Sequence, residues 1–541
     1  MRQGRSLAVG DRGIAATSHP LATLTAIDVL RTGGNAVDAA IAAIALQSVV
    51  DPHMTGIGGD CFALYAPASG TPVAIDGSGR APAAAELGWF IERGMSAIAD
   101  DSVHAVTVPG AISAWCRLHG DHGRLPLDRV LEPAIRAAED GFVVTPRAGL
   151  DWARYGDRIS RHGDGSAVYL PGGKPPAIGA RLVHPALATT LRAIASRGAD
   201  AFYRGTVADS IVRALQPRGG LMTLDDLAGY EATYRSPVGA DYRDHHMLEC
   251  PPAGQGVAAL LILRLLARHD LSSDTLSEAD RIHLLAEATK AAYRQRDALI
   301  CDPDSRPVDV DALLSDANVA RLSGLIDSRR ASEASTFDMP VHRDTAYICV
   351  ADRDGNLVSF INSLFFAFGS GIYAPESGVL LQNRGAGFRL IEGHPNAIAP
   401  PQASLPYDYP RPCPQGRKTD PGRGRHGRPV PGDRTCPHPL GRGGSGARHP
   451  DRVRPATQLC LRRGAAVGAD RLAGSRRYPD RPRPSDHDRR RTPGWLPGDL
   501  CRSRARRDVR GHRSPQGRGG AGRLIATAGW CDYALLVARP P

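Results

Sequence analysis

Residues 1–400 predict an α+β layered body, and residues 401–541 predict no fold of their own. Three observations carry this division. Through the first 400 residues, helix-length Ala- and Leu-rich stretches alternate with short apolar strand-like runs, and Gly, Pro, Asn and Asp mark the joins. Four hundred residues exceed one ordinary core but suit a large layered fold. Beyond Pro400 the composition changes: the last 141 residues hold 29 Arg, one Lys, 11 Asp and no Glu. A folded domain of that length rarely avoids Glu while favouring Arg so heavily.

Charge divides at the same place. The tail carries +19 and the whole chain +11, so residues 1–400 carry −8. Arg-Gly and Arg-Arg clusters raise nucleic acid as a partner. The acidic body argues against it, and the tail has too few apolar residues to offset chain entropy, so disorder is the expectation there. No nucleic-acid partner is expected. No run of about 18 apolar residues occurs, so neither a membrane span nor a membrane partner is expected. Residues 1–8 run straight into polar positions without the apolar stretch of a secretory signal, which points to the cytoplasm. The cysteines of the body, at 61, 116, 250, 301 and 349, are scattered and show no zinc-type spacing. No metal and no organic cofactor is implied.

The elements follow in order. Residues 22–49 read as two helices: Gly33-Gly34 stops the first, and Asn35 caps the second, whose small side chains allow close packing. MTGIGGD (54–60) leads into an apolar strand at 61–65. It lacks the Lys and following helix of a phosphate loop, so it reads as a tight turn. Residues 104–111 read as a strand running into a helix, and 127–140 as a helix. MTLDDLAGY (222–230) precedes a strand region, and PPAGQG (251–256) an apolar helix at 257–266. Residues 281–299 form an amphipathic helix. Residues 327–344 are polar and breaker-rich, a surface linker. A buried strand at 346–351, a turn at 352–356 and a returning strand at 357–362 complete the body.

Thr345 stands directly after that linker and directly before the buried strand. The position suits a chain that cuts itself. Cleavage of the Asp344–Thr345 bond makes Thr345 an N-terminus, with its hydroxyl as nucleophile and its own α-amine as base. A free α-amine, with a pKa of about 7.7–8.0, is well matched to base catalysis near neutrality.

GGNAVDAAIA (33–42), MTGIGGDCF (54–62), VPGA (108–111), MTLDDLAGY (222–230), PPAGQG (251–256), DTAYICVADRDGN (344–356) and FGSGIYAPESGVLLQNR (368–384) together resemble the gamma-glutamyltranspeptidase family, from near residue 7 to residue 400. The resemblance implies an N-terminal-nucleophile hydrolase fold, an αββα sandwich, incomplete in its small-chain half if residues 401–541 are out of frame. It implies self-cleavage into a large chain, 1–344, and a small chain whose recognisable start is 345–400, the two remaining associated. The implied reaction is amide cleavage through a threonyl acyl-enzyme, with water or an amine as acceptor.

The family's substrate positions are altered in this chain. Ser363 stands where the family has a Thr whose hydroxyl orients the nucleophile. Phe365, Arg384, Gly387 and Ser78 stand where the transpeptidases carry Asn, Gln, Asp and Arg, and Arg80 lies two residues past the last of these. Arg80, Asn383 and Arg384 are the candidate substrate-binding residues. The two arginines suit a carboxylate without an α-amine. The implied partner is a small-molecule amide or peptide, either a glutathione-type γ-glutamyl substrate or a simpler carboxylated amide, in the manner of the family's acylases and amidohydrolases.

The composition break falls inside a family motif. Residues 394–400 read HPNAIAP. Back-translating 402–412 and moving the frame forward by one base permits KRPYHTIIPA, which continues that motif. A frameshift in the coding DNA is therefore expected, and it places the family's oxyanion-hole Gly-Gly pair out of frame. The alternatives are an inactive product of a frameshifted gene and, with least support, an Arg-rich nucleic-acid binder.

Overall fold

The computed structural model describes residues 8, 10–272, 274–333 and 345–399, and the backbone of two strands at 524–527 and 535–538. Strand β1 (Gly13–Ala16) leads to helices α1 (Pro20–Arg31) and α2 (Ala36–Val50). The α2 cap is reciprocal: the Asn35 side chain accepts from Val37 and Asp38 N–H groups, and Asp38 accepts from the Asn35 N–H at 3.0 Å. All fifteen residues of α2 are buried, which its alanines permit. Strands β2 (Asp60–Ala66) and β3 (Val73–Gly77) follow, then helices α3 (Ala111–His122) and α4 (Leu127–Asp140).

Residues 104–111 depart from the expected strand. A 3-10 turn occupies Val103–Ala105, and the stretch beyond it makes no ladder. Its amides are claimed one by one: Val108 N–H donates to Arg80 at 2.9 Å, and Gly110 and Ala111 N–H both donate to Gly59. Between residues 141 and 220, helices Pro146–Tyr155, α5 (Pro185–Arg197) and Thr206–Leu215 pack on the same core.

Three strands come next, β4 (Thr233–Arg235), β5 (Val238–Tyr242) and β6 (His245–Glu249), then helices α6 (Gly256–Leu266) and α7 (Glu278–Leu299). After the linker come β7 (Thr345–Asp352) and β8 (Leu357–Ser363). The tail adds β9 (Leu524–Thr527) and β10 (Leu535–Ala538), two strands in a region expected to be disordered. The rest of the tail lies outside the described residues.

One sheet runs β1-β7-β8-β2-β3-β4 and the other β9-β10-β6-β5, with antiparallel pairs throughout. Alternation along the strands assigns the layers. Val350, Val358 and Phe360 face α1 and α2 in the main core. Phe62, Leu64, Tyr347, Leu357 and Ile361 face the other way and meet Leu248 and Cys250 of the second sheet. Ala240 and Met247 of that sheet face α6 and α7. The result is helices, sheet, sheet, helices: the αββα arrangement of an N-terminal-nucleophile hydrolase.

Candidate active site

The antiparallel register sets Thr345, Ser363 and Asp60 side by side across β7, β8 and β2. Neighbouring strands lie about 4.8 Å apart. By pleat parity the three share a face with Tyr347, Ile361 and Phe62, the face between the sheets. Thr345 Oγ1 lies 3.2 Å from Ser363 Oγ. Ser363 Oγ also accepts the Phe365 N–H at 2.9 Å. Ser363 Oγ keeps a second lone pair and its proton, so either hydroxyl of the pair can be the donor. Tyr347, one step further along the face, bonds Ser359 at 2.8 Å, and burial pushes its phenol well above the usual value, so it stays neutral.

The Gly-rich turn before β2 exists for close backbone approach. A Cβ on Gly59 would stand 2.0 Å from the Ser363 carbonyl oxygen, so a side chain there would push β8 away from β2. The Gly59 carbonyl in turn accepts the Gly110 and Ala111 N–H groups at 2.9 and 3.1 Å, tying the start of α3 to the same corner.

Arg384 is not a free anion clamp. Its Nη1 donates to Asp60 Oδ2 at 2.8 Å, its Nη2 contacts the Ala253 carbonyl at 3.4 Å, and its guanidinium lies 5.2 Å from the Phe62 ring centre. Both side chains are almost wholly buried, 3% and 2% exposed. A buried carboxylate needs a compensating charge, and Arg384 supplies it. Asp60 is the site residue that sequence reading missed. Its one signal was its place between a Gly-Gly turn and an apolar strand.

Asn383 is fully buried and occupied: Oδ1 accepts the Phe366 N–H at 3.0 Å and Nδ2 donates to the Asp100 carbonyl at 2.7 Å. It braces the loop after Ser363. That loop holds Phe365 at φ +79° and Phe368 at φ +60°, both buried. Such angles are uncommon for aromatic residues and cost about 1–3 kcal/mol each. Arg80 lies beyond β3, three strands from β7. It approaches Asp304 at 3.7 Å, and Arg235 forks onto the same carboxylate. The Arg235 hydrogen bonds hold the Asp304 carboxyl below its usual value. The structure thus joins Thr345, Ser363 and, through Asp60, Arg384; it leaves Arg80 apart. Asp344 and the expected Gly-Gly pair lie outside the described residues.

Comparison with known proteins fits this geometry. The family profile described as gamma-glutamyltranspeptidase matches residues 22–409. The chain is 36% identical over 394 residues to the glutathione hydrolase-like YwrD proenzyme of Bacillus subtilis, covering 72% of this chain and 74% of that one. It is 38% identical over 403 residues to the oxamate amidohydrolase proenzyme of Klebsiella pneumoniae, with the same coverages of 72% and 74%. The crystal structure of cephalosporin acylase from Bacillus halodurans superposes with a TM-score of 0.69 at 35% identity, over 75% of each chain. The family match spans the described body from α1 through the strands that follow Thr345. The chain belongs to the gamma-glutamyltranspeptidase family.

Proposed function

We propose that this protein cuts itself between Asp344 and Thr345 and then hydrolyses an amide that lacks an α-ammonium, through a threonyl acyl-enzyme. The observation that carries the reading is the Thr345–Ser363 hydroxyl pair, 3.2 Å apart on the face between the sheets. In the uncut chain, Thr345 Oγ1 attacks the Asp344 carbonyl carbon. A C–O bond forms, the C–N bond breaks, and the hydroxyl proton passes to the released amine. Water then hydrolyses the ester, leaving the Asp344 carboxylate and a free Thr345. In the mature protein the α-amine takes the hydroxyl proton as Oγ1 attacks the substrate amide, and returns it to the leaving amine. In this reading Ser363 donates its proton to Oγ1, one of the two directions open to the pair, and leaves the threonine proton directed at the amine.

The substrate reading rests on the wall beside this pair. Phe365 offers an aromatic ring where the transpeptidases offer an amide, and Arg384 is neutralised by Asp60. Among the described residues the anion on this wall is Asp60, already paired with Arg384, so an α-ammonium would compete for it or be buried unpaired, which is costly. The names oxamate amidohydrolase and cephalosporin acylase support an amide other than a γ-glutamyl one, whereas the name glutathione hydrolase-like supports the γ-glutamyl alternative. Two substrates separate the readings: γ-glutamyl-p-nitroanilide and glutaryl-p-nitroanilide differ by that ammonium alone. Faster turnover of the glutaryl anilide is expected. Preference for the γ-glutamyl anilide would refute the substrate class, and a purified chain lacking a free Thr345 would refute self-cleavage.

A second reading has its own observation. The composition break after residue 400 is what a shift of the coding frame would leave, and such a shift would put the family's oxyanion Gly-Gly pair out of frame. Beyond KRPYHTIIPA, the same forward frame permits Lys/Arg-Asp-Gly-Lys/Arg over residues 415–419 and Met/Thr-Gly-Gly over residues 426–429. A Gly-Gly pair of the kind the family resemblance implies is therefore among the readings this frame permits. Losing one oxyanion donor costs on the order of 100- to 1000-fold in rate. Sequencing the DNA across codons 390–430 decides the matter: an uninterrupted frame removes this reading.

A further inference from the structure

β8 ends at Ser363, and the loop after it, residues 364–371, keeps Phe365 and Phe368 at positive φ. Aromatic residues stay in that region only where the surroundings force them to. One source of that force is Arg158, on the short helix Asp157–His162. Its Nη1 donates to the Gly369 carbonyl at 3.0 Å and to the Asp100 carbonyl at 3.1 Å, and its Nη2 donates to Asp100 Oδ2 at 2.9 Å. Two carbonyl oxygens turned toward one point repel each other; a guanidinium between them makes a clasp of that repulsion. The Asp100 carbonyl also accepts Asn383 Nδ2, and Asn383 Oδ1 accepts the Phe366 N–H. The Gly369 N–H returns to the Phe366 carbonyl at 2.7 Å, so the hydrogen bonds close into a ring through Gly369, Arg158, Asp100, Asn383 and Phe366. The guanidinium carbon lies 5.9 Å from the Phe366 ring centre, and that ring meets Phe365 edge-on at 4.9 Å. The helix backbone presses on the loop as well: a Cβ on Gly371, at φ +77°, would stand 2.6 Å from the Arg158 carbonyl oxygen.

We infer that Arg158 is a positioning residue for substrate selection: through this ring it fixes Phe365 beside Ser363. The inference rests on the function proposed above. The Arg158 side chain is 18% exposed, so its bonds are screened less than those of a surface ion pair. The Phe365 N–H is also the donor to Ser363 Oγ, so the loop and that hydroxyl share one anchor. Arg158 and Asp100 precede the proposed cut, whereas Phe366, Gly369 and Asn383 follow it, so the ring joins the two fragments and outlasts the cut. A fixed aromatic wall keeps water from an α-ammonium and makes its desolvation costly. Released, the loop admits water, and the handicap of a γ-glutamyl substrate against its ammonium-free counterpart shrinks.

The experiment measures kcat/KM for glutaryl- and γ-glutamyl-p-nitroanilide on the full chain, per molecule with a free Thr345 counted by intact mass. Arg158→Met keeps the apolar stem and removes the fork, Arg158→Lys keeps the charge, and Asp100→Asn weakens the clasp while leaving the Asp100 carbonyl in place. In Arg158→Met the ratio of glutaryl to γ-glutamyl turnover should fall about two- to tenfold, the worth of one hydrogen bond. Asp100→Asn should lower it less, and Arg158→Lys should largely restore it. An unchanged ratio in Arg158→Met and Asp100→Asn overturns the inference. So does an equal loss of kcat/KM for both anilides, the mark of a merely structural role. If Arg158→Met does not fold, Asp100→Asn decides alone by the same two criteria. A wild type that prefers the γ-glutamyl anilide refutes the substrate class above, while the change of ratio in the variants still decides the role of Arg158. A wild type that never frees Thr345 overturns both.

Discussion

Replacing Arg384 with Met should destabilise the fold more than almost any other single change at the site. The guanidinium reaches Asp60 at 2.8 Å with both groups out of water. Taking the charge centres about 4 Å apart, their attraction is about 4 kcal/mol at an effective dielectric of about 20. Methionine keeps the volume and removes the charge, so the dominant loss is a carboxylate left buried without that partner, about 3–5 kcal/mol. Fluorescence of the buried Trp115 and Trp152 during urea unfolding reports the change. Adding Asp60→Leu should recover most of it, because the double variant carries no buried charge at this point. A loss below about 1 kcal/mol in the single variant, or a double variant no more stable than the single, would refute the reasoning.

Thr345→Ala should abolish both processing and turnover, whereas Thr345→Ser should retain both; intact-mass measurement with an anilide assay checks this. Phe365→Asn should raise turnover of the γ-glutamyl anilide relative to the glutaryl anilide by about 10- to 100-fold, the worth of one hydrogen bond to a charged group, as read from paired kcat/KM values. His184 is buried between Phe142 and Tyr169 with neither ring nitrogen bonded, and burial lowers its pKa to about 4. Its folded pKa lies below the unfolded value, so the unfolded chain binds more protons between about pH 6.5 and 4. Stability is complete above that window and falls through it by about 3 kcal/mol. His184→Phe should flatten this dependence, measured as the unfolding midpoint against pH.

Much of the site was legible one strand at a time. Thr345 stood out because a breaker-rich linker ends where a buried strand begins, and Ser363 because family resemblance marked its position. What joins them is register, which pairs residues 18 and 303 positions apart and leaves no trace in local pattern. Arg384 was therefore taken for an anion clamp: nothing near it in sequence reveals Asp60 beneath it. The same blindness made a strand of residues 104–111. Their alternation is real, but their amides are satisfied by Gly59 and Arg80, distant partners that local propensity cannot see. Capped helices were read most accurately, since Asn35 and the alanines after it specify their helix from within.

The strand order carries a consequence for the life of the protein. β7 and β8 begin after the proposed cut, yet they sit between β1 and β2, which precede it. Thr345 meets Ser363 across a local hairpin, but that hairpin takes its place in the sheet only through pairings that span roughly 290 to 340 residues. If the proposed cut is made, the β7–β8 hairpin of the small fragment is held by strands of the large one on both flanks. Neither can leave without dismantling the sheet, and a pair once separated must find each other again by diffusion. An uncut chain would refold as one molecule, whereas a cut pair would persist by the height of its unfolding barrier.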